Sequence, residues 1–439
     1  MTSFYRFIRA LIRTALGFYY REIEVAGAET IPAEGPLLLL ANHHNGMVDP
    51  LIVIAASRRP VRYIGKEPLF RIPVLGWFMR RLGCIPAHRQ RDEGYAKEKN
   101  LELYRAVKEA FLAGGAIGIF PEGQSHTDPA LAEFKHGAAK MALEAEALAD
   151  FKLGLRVQLI GIHFERTRLF RGRVLVTFGP PQPVLEYRDR FASDARGAVA
   201  ALTRDLRGKL AGMVLDADTE EAARLSGIVE RILRHEGPAP DLEERFRRRK
   251  EVLERYRRLK ETHPAEVEAV RRLLRRYDEM LKLVGSGDGQ IAAQYRWTRL
   301  LGYAVKNTAL LILAAPVFVL GIALHVVPYF ITRGCSVLMG NAEDERSRVG
   351  LLSAFFIFPL WYAGLVIAGW QLLPVAFWLP VIACGPPAGL IALRWLERFR
   401  GLARETGGLW LALTGRGVRR RLAAWRREIG IRLERLAGY

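Results

Sequence analysis

Three long apolar stretches near the end of the chain, 308–327, 350–370 and 372–393, limit most strongly what this sequence can become. A helix needs roughly 20 apolar residues to cross the hydrocarbon layer of a bilayer, and each stretch is about that long. The last two are separated only around Gln371-Leu372-Leu373-Pro374, which predicts a tight helical hairpin. The first contains Pro316 and His325 and is followed by Pro328. Basic residues help to count the crossings. Arg296, Arg299 and Lys306 precede the first stretch, Arg333, Arg346 and Arg348 follow it, and Arg394, Arg398, Arg400 and Arg404 follow the third. Three crossings would leave the Arg-rich tail across the membrane from everything that precedes the stretches, against the positive-inside tendency. The expectation is therefore one hairpin crossing twice, with 308–327 re-entrant or lying in the interface.

The remaining sequence is too long for a single core, and its charge is one-sided. Among 439 residues, 66 Lys and Arg oppose 46 Asp and Glu, a formal net charge of +20. Such an excess attracts nucleic acid or an anionic membrane surface. No zinc-finger spacing, RNP-like segment or P-loop is present, and aromatics are mixed with long aliphatic runs. The expected partner is the anionic membrane, with no nucleic acid. Cys84, Cys335 and Cys384 are widely separated, as suits a reducing compartment and small apolar side chains. No Cys/His cluster offers a metal site, so none is expected. The N-terminus lacks a small-residue cleavage site after its apolar face, so no secretory signal is read.

Along the chain, 4–20 places apolar residues at helical spacing with Arg6, Arg9 and Arg13 among them. This fits an interfacial helix or a packed first helix equally well. Strands are expected at 22–26 and at 37–41, a continuous apolar run typical of a central strand. Asp49-Pro50 reads as an N-cap followed by Pro at the first helical position. Helical 95–113, strand 116–120, helical 134–148 and strands 157–164 and 174–178 complete an alternating α/β pattern. Beyond it, 242–259 and 267–284 carry apolar residues three and four apart among dense Arg and Glu, broken at His263-Pro264. That pattern predicts a helical hairpin with a solvated face. The expected divisions are 1–26, an N-terminal helix and first strand; 27–190, the α/β domain; 191–300, a charged helical region; 301–396, membrane segments; and 397–439, a basic amphipathic tail.

Two blocks carry the chemistry. The first is Asn42-His43-His44-Asn45-Gly46-Met47-Val48-Asp49-Pro50, and the second is Phe120-Pro121-Glu122-Gly123. A histidine paired with an aspartate can deprotonate a hydroxyl, because the carboxylate fixes the imidazole tautomer and stabilises the charged ring. Neither His43 nor His44 lies on one helix face with Asp49, so the pair must meet across a turn, where Gly46 would help. No Ser or Cys nucleophile is embedded in either block. Direct transfer from a donor to a substrate alcohol is the natural chemistry.

In this order the blocks resemble the phosphate-acceptor glycerolipid acyltransferase family, which moves an acyl chain from a thioester to glycerol-3-phosphate or lysophosphatidate. The resemblance covers 27–183 and implies an α/β domain with a mixed sheet flanked by helices, followed here by a helical region and C-terminal membrane helices. The family's catalytic histidine commonly follows Asn, as His43 does. Asn45 and Pro50 also resemble the yeast-type glycerol-3-phosphate and dihydroxyacetone-phosphate branch, where a longer His-to-Asp spacing occurs. His43 with Asp49 is thus the expected catalytic pair, and His44 is the alternative base. Further blocks imply acceptor contacts. In Gly83-Cys84-Ile85-Pro86-Ala87-His88-Arg89, Arg89 would hold the phosphate, helped by Lys66 or Arg91; guanidinium suits phosphate through two parallel hydrogen bonds. Glu122 would accept from glycerol hydroxyls, and Gly123 would let backbone approach the ligand. The family's usual Thr-Arg after that glycine is replaced by Gln124-Ser125, and Lys135 matches a family position that would compensate. The fourth block falls at 157–164, with Leu159 where proline is usual. The implied partners are acyl-CoA or acyl-carrier protein as co-substrate, with no cofactor, and a glycerol phosphate or lysophospholipid acceptor. The implied setting is the cytoplasmic membrane with the catalytic domain on its cytoplasmic face. Two alternatives stand beside this: an acyltransferase for another lysolipid, or a non-catalytic lipid-binding protein keeping the fold.

Overall fold

Residues 37–41, four leucines and an alanine, are all buried, as befits a strand covered on both faces. They form β2 of an eight-stranded sheet in a computed structural model that describes residues 2–87, 97–126, 128–165, 171–234, 241–285, 287–292, 297–339, 343–414 and 416–437. The strands are β1 (Glu22–Ala26), β2 (Leu37–Ala41), β3 (Val61–Lys66), β4 (Ile85–Ala87), β5 (Ala116–Ile119), β6 (Arg156–Phe164), β7 (Arg173–Phe178) and β8 (Gln182–Pro183). Their order is β1-β7-β6-β2-β5-β3-β4, with β8 added beside β6. The pairings β6–β2, β2–β5, β5–β3 and β3–β4 are parallel, whereas β7 runs antiparallel to β6 and parallel to β1. The sheet is therefore mixed, as expected. Because β2, β5, β3 and β4 are parallel, the chain leaves all four at one edge of the sheet, the usual place for reactive groups in α/β folds.

The chain divides into two compact units, Met1–Glu220 with Asp241–Phe246, and Glu221–Pro240 with Arg247–Tyr439. The first unit reaches further than the boundary at 190. Helix α1 (Ser3–Tyr19) packs against it through Tyr5, Ile8, Ile12 and Leu16, spaced three and four apart. Its Arg9 and Arg13 both donate to Ala55 O, near the end of α2 (Val48–Ala56). These contacts select the packed-helix reading, although Phe7 on the other side of α1 is 66% exposed. Helices α3 (Lys97–Leu112), α4 (Gly137–Ala147) and α5 (Ala195–Ala211) cover the sheet. Ala198, Leu202, Leu206 and Leu210 of α5 share one core with Leu38, Leu40, Phe111 and Leu143, so α5 is part of the α/β unit rather than of a separate helical region.

Among its described residues the second unit consists of helices joined by short turns, with no strand. Helices α6 (Glu220–Leu233), α7 (Leu242–Thr262) and α8 (Pro264–Leu283) precede the apolar segments, and the α7–α8 break falls at His263, as expected. Val267, Val270, Leu274, Tyr277 and Leu281 make the buried stripe of α8. The Tyr277 hydroxyl donates to the buried Asp288 at 2.7 Å, and Arg426 reaches the same oxygen at 3.1 Å.

The apolar segments form α9 (Trp297–Met339), α10 (Glu343–Leu372) and α11 (Val375–Thr414). Among the described residues, three helices are long and apolar enough to cross a membrane, at Gly302–Met339, Ser353–Leu372 and Trp378–Ala403. The exposed Ile312, Leu313, Val319 and Phe330 suit a lipid surround rather than water. Helix α9 has no break at its prolines. It runs unbroken for 43 residues through Pro316 and Pro328, about 64 Å at the usual rise per residue. It also packs antiparallel to α11. Gly401 lies by Tyr303, Trp395 donates to Leu311 O at 2.8 Å, and Gly321 meets Ala388. The start of α9 and the end of α11 thus share one end of the bundle. Helix α12 (Arg416–Ala437) buries Leu422, Ile429 and Leu436 in a core with Leu225, Val267, Leu274 and Tyr277. The tail therefore returns to the helices from which the apolar region departs.

Candidate active site

The first block leaves β2 through Asn42, whose fully buried side chain continues the ladder after the strand ends. Its amide donates to Ile162 O at 2.9 Å and accepts from Ile162 N at 2.7 Å. A polar side chain buried there needs both bonds. They fix the direction in which His43 departs.

His43 and Asp49 meet. His43 Nδ1 lies 3.0 Å from Asp49 Oδ2, and the same oxygen accepts Asn45 N–H at 2.7 Å. Asp49 does not cap α2, which starts one residue earlier, at Val48. Its carboxylate, in the first turn and fully buried, instead closes the 45–49 turn and holds the imidazole. Gly46 is not among the glycines with left-handed φ, so the carboxylate rather than glycine geometry closes that turn. The His43 ring stacks on Phe120 with centroids 4.0 Å apart, and Phe120 stacks on Tyr63. Ring packing and Asp49 together define the imidazole's plane. With Nδ1 committed to Asp49, the His43 side chain is only 12% exposed. Among the described residues no protein group is bonded to Nε2, the nitrogen left for a substrate. Nδ1–H facing a carboxylate leaves Nε2 as the basic position.

His44 points elsewhere. Its Nδ1 is 3.4 Å from His126 O, and burial pushes its imidazole below the ordinary histidine range, with Asp49 and Glu122 only partly opposing. It is a neutral ring beside backbone, with no described bond to Asp49.

The second block follows β5. Glu122 is 3% exposed; its Oε1 accepts His43 N–H at 2.7 Å, and its Oε2 accepts Ala132 N–H at 3.2 Å and meets His126 Nε2. Both oxygens of the carboxylate expected to face glycerol hydroxyls thus already meet protein donors. Gly123 has φ +72°, and a Cβ there would lie 2.7 Å from Lys135 Nζ. The exposed Lys135 ammonium therefore lies over the Glu122–Gly123 turn, and its backbone N–H donates to Pro121 O at 2.8 Å. Gly123→Ala is expected to cost about 1–2 kcal/mol through the left-handed backbone and to displace Lys135. Thermal melting and acceptor KM, measured on one preparation, should both shift; an unchanged pair would show that the turn tolerates a side chain.

Arg89 and Arg91, the expected phosphate contacts, lie outside the described residues. The segment that carries them follows β4, and Lys66, the other helper, ends β3 opposite Ala87 at the same sheet edge. A cavity of about 410 Å³ opens beside His126, lined in part by Asp128, Leu131, Ala132, Asp218 and Glu220. Its carboxylates disfavour phosphate there. His126 and the bracing role of Asn42 were not read from the sequence. Neither follows a spacing rule, since each depends on strands or loops far apart in the chain.

Residues 22–162, which include His43, Asp49, Arg89, Glu122, Gly123 and Lys135, match the family model described as Acyltransferase. Over 139 residues the chain is 33% identical to 1-acyl-sn-glycerol-3-phosphate acyltransferase of Borreliella burgdorferi, covering 31% of this chain and 52% of that one. Over 115 residues it is 34% identical to glycerol-3-phosphate O-acyltransferase 2 of Saccharomyces cerevisiae, covering 26% of this chain and 15% of that one. A crystal structure of the 1-acyl-sn-glycerophosphate acyltransferase PlsC from Thermotoga maritima aligns at 20% identity and a TM-score of 0.34, covering 47% of this chain and 80% of that one. The chain spans about half the length of the Borreliella relative and less of the yeast protein. These matches agree with the glycerolipid acyltransferase resemblance read from the sequence blocks, over the α/β domain alone.

Proposed function

We propose that this protein is a membrane-bound O-acyltransferase that moves a fatty acyl group from acyl-CoA or acyl-carrier protein to a hydroxyl of glycerol-3-phosphate or lysophosphatidate. The observation that carries the reading is His43 held by buried Asp49 through Nδ1, with Nε2 left at the sheet edge where the acyltransferase domain's other block also emerges. The relatives' names supply the substrate class. His43 Nε2 takes the hydroxyl proton as the oxygen attacks the thioester carbonyl. The tetrahedral intermediate collapses with cleavage of the C–S bond, and the imidazolium returns the proton to the thiolate. Asp49 stabilises the imidazolium between those steps. General acid–base help of this kind is worth roughly 10²–10⁴ in rate, and co-binding of two substrates supplies much of the rest.

Lys135 is the described cation beside the loop, and Arg89 is the guanidinium that the resemblance assigns to phosphate. The thioester is its own activated donor, so the reading calls on no further cofactor or metal. The apolar helices suit a membrane setting, and the basic tail favours the cytoplasmic face for both its own helix and the catalytic domain. The test is an acceptor panel with the full chain in lipid nanodiscs and one labelled acyl-CoA: glycerol-3-phosphate, dihydroxyacetone phosphate, lysophosphatidate and neutral lysolipids. Label in a phosphorylated acceptor supports the reading. Label only in a neutral lysolipid moves it to that acceptor class, as the Gln124-Ser125 departure would permit, and label in none overturns it.

A further inference from the structure

Glu122 and His126 enclose the backbone of His43. Glu122 Oε1 accepts His43 N–H at 2.7 Å, and His126 N–H donates to His43 O at 3.1 Å. The two side chains then bond to each other through Glu122 Oε2 and His126 Nε2. The result is a closed ring of contacts running from His43 to Glu122, on to His126, and back to His43. A carboxylate that ligates a substrate hydroxyl must present a free oxygen to accessible space. Glu122 is 3% exposed and spends both oxygens on protein donors.

We propose that Glu122 and His126 are positioning residues for the transfer reaction, bracing the His43 main chain so that its ring stays against Phe120 and bonded to Asp49. Glu122 is then not a ligand of the acceptor. The inference rests on His43 being the base. The charge arrangement agrees with it. The Glu122 hydrogen bond, outweighing burial, raises the His126 imidazole above its ordinary range, with Asp128 adding to the effect. Removing either member leaves the other's hydrogen-bonding atom without that partner in a buried place. His44 lies against the His126 carbonyl, so the loop meets both histidines of the first block.

The experiment uses the full chain in nanodiscs with wild type, His126→Ala, His126→Gln and Glu122→Gln, each checked by thermal melting. With the phosphorylated acceptor that accepts label best, His126→Ala should lower kcat by about 10²-fold, as ångström-scale misplacement of a catalytic group does, while acceptor KM stays unchanged. His126→Gln should recover most of the kcat, because its amide N–H can reach Glu122. Glu122→Gln should likewise act on kcat. A raised acceptor KM with intact kcat in Glu122→Gln would make Glu122 a substrate ligand and overturn the proposal. Wild-type kcat in His126→Ala would overturn it too. A second arm needs no turnover. With ¹⁵N-histidine labelling, the downfield Nδ1 proton of His43, assigned by its loss in His43→Ala, should move or broaden in His126→Ala. If the wild type acylates no acceptor, the base reading falls, and an unchanged His43 resonance would separately sink the brace.

Discussion

His43→Ala is expected to lower acyl transfer by roughly 10²–10⁴-fold, the range for loss of a positioned general base, while acyl-CoA binding persists. The ring touches Phe120 and Asp49, so its removal leaves the buried Asp49 carboxylate with Asn45 N–H as its described partner. Losing one hydrogen bond from such a group costs about 1–3 kcal/mol, and the melting temperature should fall modestly without unfolding. Asp49→Asn should lower kcat while sparing acceptor KM, because it removes the countercharge to the imidazolium but retains an oxygen for Asn45 N–H. His44→Ala is the control. Its neutral ring faces the His126 carbonyl, a contact worth about 0.5–1.5 kcal/mol at most, so activity should stay within about tenfold of wild type. Steady-state kinetics on the three variants decide between the histidines. Abolition by His44→Ala with survival of His43→Ala would reverse the assignment.

The parts of the fold that depend on local pattern were legible. Four leucines and an alanine between Pro36 and Asn42 read as a short strand buried on both faces, and the Val267-Val270-Leu274-Tyr277-Leu281 stripe reads as the inner face of a helix. The His43–Asp49 meeting was legible only with the family's blocks beside it, since six positions apart fits neither helix nor strand. What failed had long-range causes. Asp49 looked like a cap because Pro50 follows it, but the helix begins one residue earlier and the carboxylate's duty is set by Asn45 and His43. Helix α5 carried no strand beside it to mark it as part of the α/β unit, yet its stripe fills the same core as β2. Pro316 and Pro328 looked like breaks. Within an apolar helix bundle, neighbouring helices and small local adjustments satisfy the groups a proline frees, and α9 runs straight through both. The bracing of His43 by Glu122 and His126 joins two loops that only the parallel β2–β5 pairing brings together.

The packing of α12 makes a topological prediction with an all-or-none readout. Leu422, Ile429 and Leu436 share a core with Val267, Leu274 and Tyr277, and Tyr277 is bonded to Asp288, to which Arg426 of the tail also binds. A helix after the membrane segments cannot share a core with one before them unless both stand on the same side. The antiparallel course of α11 along α9 supplies the return. Single cysteines at Leu283, which is 80% exposed, and at exposed Glu434, placed in a chain with Cys84, Cys335 and Cys384 replaced by serine, should therefore respond alike to an impermeant thiol reagent. On the cytoplasmic reading both resist labelling in intact cells and react once the membrane is opened. Labelling of both from outside would keep the shared core and invert the orientation. Labelling of Glu434→Cys alone would put the tail across the bilayer and break the α8–α12 core. Ile429→Asp then tests the contact itself: a charge in that core should release the tail to protease without changing which side it occupies, because the side is set by an even number of crossings and the contact only reports it.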